Sequence, residues 1–207
     1  GSSSGRAGAV PELPEVETIR AQLADRIPGR AFAAVEVHDP RLVAPESPEG
    51  FAAQVSGRRI AGLDRRGKYL LIDLEGGDAL AIHLRMTGRL HWRAPGDPGE
   101  PERFLRARFH LEDGSTLTFG DMRRFGRAWI VPGSPAEREA YWAGRVGVEP
   151  LTPHFTARAL EGLLERRRGP LKAVLLNQAL VAGLGNMYVD EALFQARLHP
   201  ERAAGSL

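Results

Sequence analysis

The stretch Pro11–Thr18, PELPEVET, decides how the chain begins to fold, because it joins an extended segment to a helix. Pro14 has the fixed φ that suits a first helical position, and Glu15 adds negative charge where the helix dipole favours it. Apolar residues then recur at three- and four-residue spacing, at Val16, Ile19, Leu23 and Ile27. This spacing predicts one apolar helix face, and Pro28-Gly29 predicts the end of the helix.

The predicted helix does not require Pro11 and Glu12, a proline and a carboxylate placed directly upstream of Pro14. Taken alone, the pair is compatible with an ordinary helix start, because Pro and Glu are common there. The rest of the chain decides between that interpretation and a functional one.

Composition excludes several classes of protein. The chain has 207 residues, which allow one or two domains, and a net charge of only +2. It has no cysteine, so it forms no disulfide and no cysteine metal site, as suits a reducing compartment. No apolar run is long enough to span a bilayer. The six histidines lack metal-ligand spacing, and neither a Gly-x-Ser-x-Gly nor a Walker sequence occurs.

Short β-type runs dominate the chain as far as residue 131. They are expected at residues 31–37, 59–64, 68–74, 80–84, 89–92, 106–111, 115–119 and 128–131. Gly76-Gly77 and Asp113-Gly114 predict hairpins, whereas residues 40–49 and 94–102 are expected to be loops. Many short strands with turns between them predict a β-sandwich or a barrel.

The second half of the chain has a helical pattern. Residues 132–153, rich in Pro and Gly, are expected to be a linker, and helices are expected at residues 157–167, 171–178 and 187–197. The apolar side of the last helix is expected to carry Tyr188, Ala192, Leu193 and Ala196. Gly183 and Gly185 would let the backbone approach a phosphate, and Asn186 stands at a helix start, where amides bind anions. Asn186 could instead be an N-cap.

Only Lys68 and Lys172 are lysine among the 28 basic residues, so each stands where arginine could have served. Lysine is a compact point charge with a tunable pKa, unlike arginine. The alternative is that two lysines remain by chance.

Two further segments, each expected to form a turn or loop next to a strand, combine arginine with a bulky apolar residue. His83–Gly88, HLRMTG, ends a strand, and Asp121–Gly126, DMRRFG, lies between two strands. Arg can hold phosphate or replace the hydrogen bonds of a base, and Phe can stack where a flipped base was. Alternatively, Met86 and Phe125 pack in the core.

Together these segments closely resemble the formamidopyrimidine-DNA glycosylases, bacterial repair enzymes that excise oxidised purines. The resemblance runs from Pro11 to about Pro200. It implies an α+β protein, with a β-sandwich catalytic domain and flanking helix over 11–131, a linker over 132–153, and a helical domain with a helix–two-turn–helix motif over 154–207. The family zinc finger and the lesion-capping loop would lie beyond Leu207. Residues 1–10 are expected to be either a flexible tail or residues added in cloning.

The resemblance implies a mechanism through an amino-terminal secondary amine. Pro11 would attack the anomeric carbon of the sugar and displace the damaged base, and the resulting iminium would permit strand cleavage by elimination. Glu12 would protonate the sugar ring oxygen, and Glu15 would order the amino terminus. Lys68 would lie beside the damaged nucleotide and contact phosphate.

The resemblance also implies the DNA contacts. Met86 and Phe125 would fill the gap left by the extruded nucleotide, and Arg123 would face the orphaned base. The remaining expected contacts are Arg124, Lys172, Asn186, Tyr188 and Glu191. The chain departs from the family at Arg85, often Gly, and at Met122, more often Pro.

The resemblance implies that the partner is double-stranded DNA that contains an oxidised base or an abasic site. The protein is expected to act as a monomer in the bacterial cytoplasm, with the nucleoid, and to bind no membrane. No cofactor is expected in this chain, whereas an intact relative is expected to hold one structural zinc. Leu13 and the Arg-Arg-Phe-Gly run favour the purine enzyme over endonuclease VIII, the sister family for oxidised pyrimidines. Another alternative is a non-catalytic protein that binds distorted duplex.

The amino terminus sets one more expectation. Pro11 follows Val10, so its nitrogen belongs to an amide, whose lone pair is in resonance with the carbonyl. We therefore expect the printed chain to fold both domains but neither to excise bases nor to form an imine with DNA. A chain that begins at Pro11, with its zinc finger restored, should do both.

Overall fold

The computed structural model describes residues 10–207, so the expectations for residues 1–9 lie outside the described residues. Within that range the chain forms two compact units. The first contains residues 10–11, 15–65 and 69–138, and the second contains residues 12–14, 66–68 and 139–207. Two short pieces of the amino-terminal half therefore fold with the helical half of the chain.

The first unit is built from two antiparallel four-stranded sheets. One sheet has the order β1-β6-β7-β5, and the other has the order β2-β3-β4-β8. The strands are β1 (Phe32–Val37), β2 (Ile60–Arg66), β3 (Tyr69–Leu74), β4 (Ala79–His83), β5 (Gly88–Arg93), β6 (Leu105–Leu111), β7 (Thr116–Asp121) and β8 (Arg127–Val131). All eight expected strands are present, and both expected hairpins are confirmed by the β3–β4 and β6–β7 pairings.

The core of the first unit lies between the sheets and helix α1 (Leu13–Ala24). Buried side chains alternate along β6, as expected of a strand with one face in the core. Phe32, Phe51 and Phe109 are each buried, and the Phe109 ring packs against the rings of the other two. Helix α1 ends three residues before Ile27, which is nevertheless fully buried.

Helix α2 (Pro48–Val55) begins inside the segment that was expected to be a loop, so that expectation is wrong at residues 48–49. Local signals for the helix are present. The Ser47 hydroxyl accepts from the Gly50 amide as an N-cap, and Pro48 occupies the first turn. Phe51 and Val55 then bury one face of this short helix in the core. Residues 40–42 form a 3-10 turn before it.

Helix α3 (Pro135–Trp142) lies in the segment that was expected to be a linker. Ser134 and Glu137 form a capping box, in which the Glu137 carboxylate accepts from the Ser134 amide at 2.6 Å. The Ser134 hydroxyl accepts in return from the Glu137 amide at 3.4 Å. A capped helix therefore replaces part of the expected irregular segment.

The second unit contains helices α4 (Ala157–Leu164), α5 (Leu171–Leu176) and α6 (Asn186–Ala196). Its core includes Leu164, Leu171, Val181, Val189 and Leu193. The expected apolar side of α6 is partly wrong, because Ala192 and Ala196 are exposed and Val189 is buried one turn before Leu193. Residues four apart share a helix face, and Val buries more apolar surface than Ala.

Within residues 10–207, no helix is both long enough and apolar enough to cross a membrane.

Candidate functional site

Glu12 is the buried charged residue around which the amino end of α6 is built, and all the groups concerned belong to the second unit. Its side chain is almost completely inaccessible to solvent. One carboxylate oxygen accepts from the backbone amide of Gly185 and, at 3.4 Å, from that of Tyr188. A buried carboxylate requires such donors, and the positive end of a helix dipole adds to their effect.

This arrangement excludes Asn186 as the N-cap of α6. The N-cap is Gly185, which has no side chain, and Asn186 is the first helical residue with an exposed side chain. Glu12, distant in sequence, performs the capping that a local side chain normally provides. Asn186 is therefore available to contact a ligand.

Gly183 and Gly185 are required by the approach of the amino-terminal segment, a reason that the sequence did not indicate. The Leu13 amide donates to the Gly183 carbonyl at 2.8 Å. A Cβ atom on Gly183 would lie 2.4 Å from the Leu13 side chain, and one on Gly185 would lie 2.7 Å from the Glu12 carboxyl. Gly183 also has a φ of +81, a left-handed backbone conformation that favours glycine.

Gln178 fixes the turn that holds Glu12. Its side-chain amide donates to the Leu176 carbonyl at 3.0 Å and to the Leu184 carbonyl at 2.7 Å. Its side-chain oxygen accepts from the Gly183 amide at 2.9 Å. Gln178 is thus a supporting residue to which the sequence pattern assigned no role.

Pro11 and Glu15 flank Glu12 along the chain. Pro11 is buried, and the preceding Val10 is 40% exposed. Glu15 lies in the first turn of α1, as expected, and is partly exposed. The chain therefore enters its buried segment at Pro11.

Lys68 was expected to begin a strand, but it lies in the two-residue turn between β2 and β3, one position before β3 begins, and is partly buried. The preceding Gly67 adopts a φ of +55, and its amide donates to a Glu149 carboxylate oxygen at 2.5 Å. A Cβ on Gly67 would lie 3.5 Å from the Gly183 amide nitrogen. The structure thus brings the Lys68 turn beside the turn that contacts Glu12 and Leu13.

The expected DNA contacts of the second unit lie on two helices. Lys172, in α5, forms a 2.7 Å ion pair with Asp190 of α6. Glu191 accepts from the Gln195 side chain at 2.7 Å. Tyr188 contributes its amide to Glu12, and its side chain is partly exposed.

In the first unit, the two segments that carry expected contacts form the 84–87 turn and the 122–126 loop. Met86 is 41% exposed and Phe125 is 53% exposed, so the interpretation of either side chain as core packing is wrong. Large apolar side chains in such positions are available to contact a partner.

Arg123 connects the 84–87 turn and the 122–126 loop. Its guanidinium contacts the Met86 sulfur at 3.5 Å, and its backbone amide donates to the Thr87 hydroxyl at 3.0 Å. The structure therefore brings Met86 and Arg123 into contact at one surface.

Arg124 is positioned differently from its expected role as a DNA contact. Its guanidinium donates to the buried Asp39 carboxylate at 2.6 Å, and its backbone is left-handed with a φ of +62. The bond from Arg124 lowers the pKa of the Asp39 carboxyl, and the Arg41 amide, which also donates to Asp39, lowers this pKa further against the opposing effect of burial. Arg124 therefore anchors the 122–126 loop to the first unit.

The zinc implied by the family has no candidate site among the residues described. The chain contains no cysteine, and no group of three or more His, Asp or Glu side chains between residues 10 and 207 could hold a metal ion.

Comparison with protein families decides the identity of the chain. The model described as the formamidopyrimidine-DNA glycosylase N-terminal domain matches residues 10–128, and that of the H2TH domain matches residues 146–207. The chain belongs to the formamidopyrimidine-DNA glycosylase family. The resemblance drawn from the sequence motifs is therefore confirmed, and the chain is a member of a family of DNA-repair glycosylases.

Individual formamidopyrimidine-DNA glycosylases agree with this assignment. The enzyme of that name from Pelotomaculum thermopropionicum is 46% identical over 198 residues, which cover 96% of this chain and 71% of that protein. Its counterpart from Moorella thermoacetica is 48% identical over 199 residues, with the same two coverages.

Solved structures confirm the fold. The Lactococcus lactis Fpg in complex with DNA containing an abasic site is 34% identical, with a TM-score of 0.83 over 95% of this chain and 70% of that chain. A MutM structure with DNA containing carbocyclic 8-oxo-G is 35% identical, also with a TM-score of 0.83. The expected α+β class, a sheet domain followed by a helix–two-turn–helix domain, is confirmed.

Proposed function

We propose that this protein removes oxidised purines, such as 8-oxoguanine and formamidopyrimidines, from duplex DNA and cleaves the strand at the resulting abasic site. The observation that carries the proposal is Glu12, a buried carboxylate that directly follows Pro11 and is held by the amides of α6. A buried acid fixed beside an amino-terminal nucleophile is the pairing that glycosyl transfer to an amine requires.

The proposed chemistry starts from Pro11 as a free amino terminus. Its nitrogen lone pair forms a bond to the anomeric carbon as the bond from that carbon to the damaged base breaks, and the base leaves with that electron pair and takes up a proton from solvent. The attached nitrogen loses its proton to solvent. Glu12 then donates a proton to the sugar ring oxygen, the bond from that oxygen to the anomeric carbon breaks, and the nitrogen lone pair forms the iminium. This cation acidifies the neighbouring sugar protons, so loss of one proton expels the phosphate by elimination, and water later releases Pro11.

The DNA is held by contacts from each unit. In the first unit, Met86 and Phe125 fill the space of the extruded nucleotide while Arg123 faces the orphaned base. In the second unit, Lys68, Lys172 and Asn186 contact phosphates. We assign Arg124 a supporting role through Asp39, because its guanidinium is already occupied there.

Two features of the chain support purine lesions over pyrimidine lesions. These are Leu13, which packs against Gly183, and the Arg-Arg-Phe-Gly run at residues 123–126. Structures similar to this chain include complexes whose DNA contains carbocyclic 8-oxo-G or an N7-benzylated formamidopyrimidine. Lesions of this class are therefore the proposed substrates.

The form of the chain printed here, in which Val10 acylates Pro11, should bind damaged DNA without reacting with it. An amide nitrogen cannot act as an amine nucleophile. This proposal concerns that form alone, and a form that begins at Pro11 has the free amine.

The test is base release from duplexes that contain either 8-oxoguanine or an oxidised pyrimidine, using a form that begins at Pro11. We expect release and strand cleavage with 8-oxoguanine at the higher kcat/KM. Faster release of the oxidised pyrimidine would instead support an activity like that of endonuclease VIII. Binding to both lesions without any release would support a non-catalytic protein for damaged DNA.

A further inference from the structure

The 84–87 turn and the 122–126 loop, which carry Met86, Arg123 and Phe125, begin and end on neighbouring strands. In the pairing of β5 with β7, Gly88 lies opposite Asp121. The 84–87 turn therefore enters β5 where β7 leaves for the 122–126 loop. Asp121, the last residue of β7, is buried with only 2% of its surface exposed.

The Asp121 carboxylate holds one segment with each of its oxygens. The Thr87 hydroxyl donates to Oδ1, and the Gly126 amide donates to Oδ2 at 2.8 Å. Thr87 in turn accepts from the Arg123 amide at 3.0 Å. Two hydrogen bonds therefore tie the two segments to a single buried carboxylate, and a third joins the segments directly.

Packing supports the same connection. A Cβ atom on Gly126 would lie 2.5 Å from the edge of the Phe119 ring, and one on Gly88 would lie 3.0 Å from the same carbon. Both segments thus rest on one aromatic edge. Each also contains a left-handed arginine, Arg85 with a φ of +54 and Arg124 with a φ of +62. Such backbone persists only where surrounding contacts fix it.

We propose that Asp121 and Thr87 are positioning residues that fix Met86 relative to Arg123 and Phe125, and that preferential binding of abasic-site duplex depends on them. The inference rests on the proposed function, because it needs these side chains to occupy the vacated stack. Side chains on two separate segments can fill one gap together only if their separation is set before DNA binds. Hydrogen bonds to an ionised carboxylate are the stronger kind available for this purpose.

The test compares Thr87→Val, which removes the hydroxyl at nearly constant volume, with Thr87→Ser, which keeps it. Affinity is measured for a duplex with a tetrahydrofuran abasic-site analogue and for the same duplex fully paired. The ratio of the two affinities is the readout, and a 2-aminopurine beside the analogue reports unstacking. The matched control is Thr118→Val. This change removes a buried hydroxyl from β7, the strand that carries Asp121, at a position outside both segments.

We expect Thr87→Val to lower the preference for the abasic-site duplex on the order of tenfold, as for loss of a hydrogen bond to a charged group. The 2-aminopurine signal should fall with it, and Thr87→Ser and Thr118→Val should keep both readouts. If Thr87→Val folds poorly, Asp121→Asn, which keeps one acceptor oxygen, should show the same loss of preference.

A wild-type preference in folded Thr87→Val, or in folded Asp121→Asn when only that variant folds, would overturn the inference and leave the proposed function intact. An equal loss in Thr118→Val would overturn it as well, because the effect would then not be specific to the two segments. Absence of any preference in the wild-type chain would contradict the proposed function itself, and with it this inference.

Discussion

Glu12 shows how a single side chain can serve both the fold and the proposed chemistry. Its carboxylate accepts from the amides of Gly185 and Tyr188, which would otherwise be unsatisfied donors at the start of α6. The same contacts fix the acid next to Pro11. A substitution that tests the proposed catalytic role therefore has to keep the accepting oxygen and remove the acidic proton.

The variant Glu12→Gln keeps a side-chain oxygen and has no acidic proton. We expect it to retain folding and DNA binding, because the side-chain amide oxygen can still accept from the helix amides. Base release should fall by at least roughly a hundredfold, the usual scale of general acid catalysis. The measurement is single-turnover release of 8-oxoguanine by forms that begin at Pro11, with Glu49→Gln, an exposed residue in α2, as the control for lost charge. A wild-type rate in Glu12→Gln would exclude Glu12 from catalysis.

Met86 and Phe125 should matter for lesion capture rather than for folding. Both are substantially exposed, so Met86→Ala and Phe125→Ala remove little buried surface and should change the melting temperature slightly. Affinity for an abasic-site duplex should fall relative to paired duplex, since flipping leaves a gap that must be filled. Met122→Ala is the matched control, because Met122 is 55% exposed on the same loop. A large drop in melting temperature with unchanged relative affinity would support core packing instead.

At the scale of elements, the turn before α6 depends on close backbone approach. Gly183→Ala would place a methyl group 2.4 Å from Leu13 and force alanine into a left-handed conformation. We expect a loss of about 2 kcal/mol or more in the free energy of unfolding. Gly162→Ala, in α4 with open space around the new Cβ, should instead stabilise by about 0.5–1 kcal/mol. Equal effects of the two changes in denaturant unfolding would show that the contact with Leu13 is unimportant.

The ion pair of Asp39 with Arg124 gives the 122–126 loop a dependence on pH. Because the folded protein lowers the pKa of Asp39, its contribution to stability is complete above the unfolded pKa of about 3.9 and is lost as the pH falls through the lower folded pKa. Asp39→Asn should therefore destabilise the protein at pH 7, and the difference from wild type should shrink below about pH 4. Denaturant unfolding at several pH values measures this, with exposed Asp25→Asn as the control. A difference that stays constant down to pH 3 would contradict the role of the pair.

The elements that sequence could predict are those with a local signal. Strand periodicity located all eight strands, and turn glycines located both hairpins. Helices α2 and α3 were missed although their caps are local, because each is only eight residues long and lies in a Pro-rich segment. The apolar face of α6 was misassigned because alanines were given the weight of larger side chains.

The supporting contacts could not be predicted, because they join residues that are distant in sequence. Thr87 and Asp121 are 34 residues apart, and Glu12 and Gly185 are 173 apart. Glycines 183 and 185 were noted as permitting close approach to phosphate, whereas the fold shows that Leu13 and Glu12 approach them. Spacing alone does not reveal which group comes close.

At the scale of the whole molecule, the division into units does not follow the order of the chain. Residues 12–14 and 66–68 fold with the helical unit, although the sequence around each belongs to the sheet unit. Glu12 thus accepts from the Gly185 amide, and the Gly67 amide next to Lys68 donates to Glu149, which belongs to the same helical unit. Each unit has its own hydrophobic core.

The central claim is that Pro11, as a free amine, is the nucleophile, and borohydride trapping on an abasic-site duplex tests it most directly. Reduction fixes an iminium as a covalent protein–DNA adduct of altered mass. We predict an adduct with a form that begins at Pro11 and none with the form in which Val10 precedes Pro11, although both bind the duplex. Equal adduct from both forms would contradict the assignment and direct attention to Lys68, and no adduct from a Pro11-first form that binds the duplex would also contradict it.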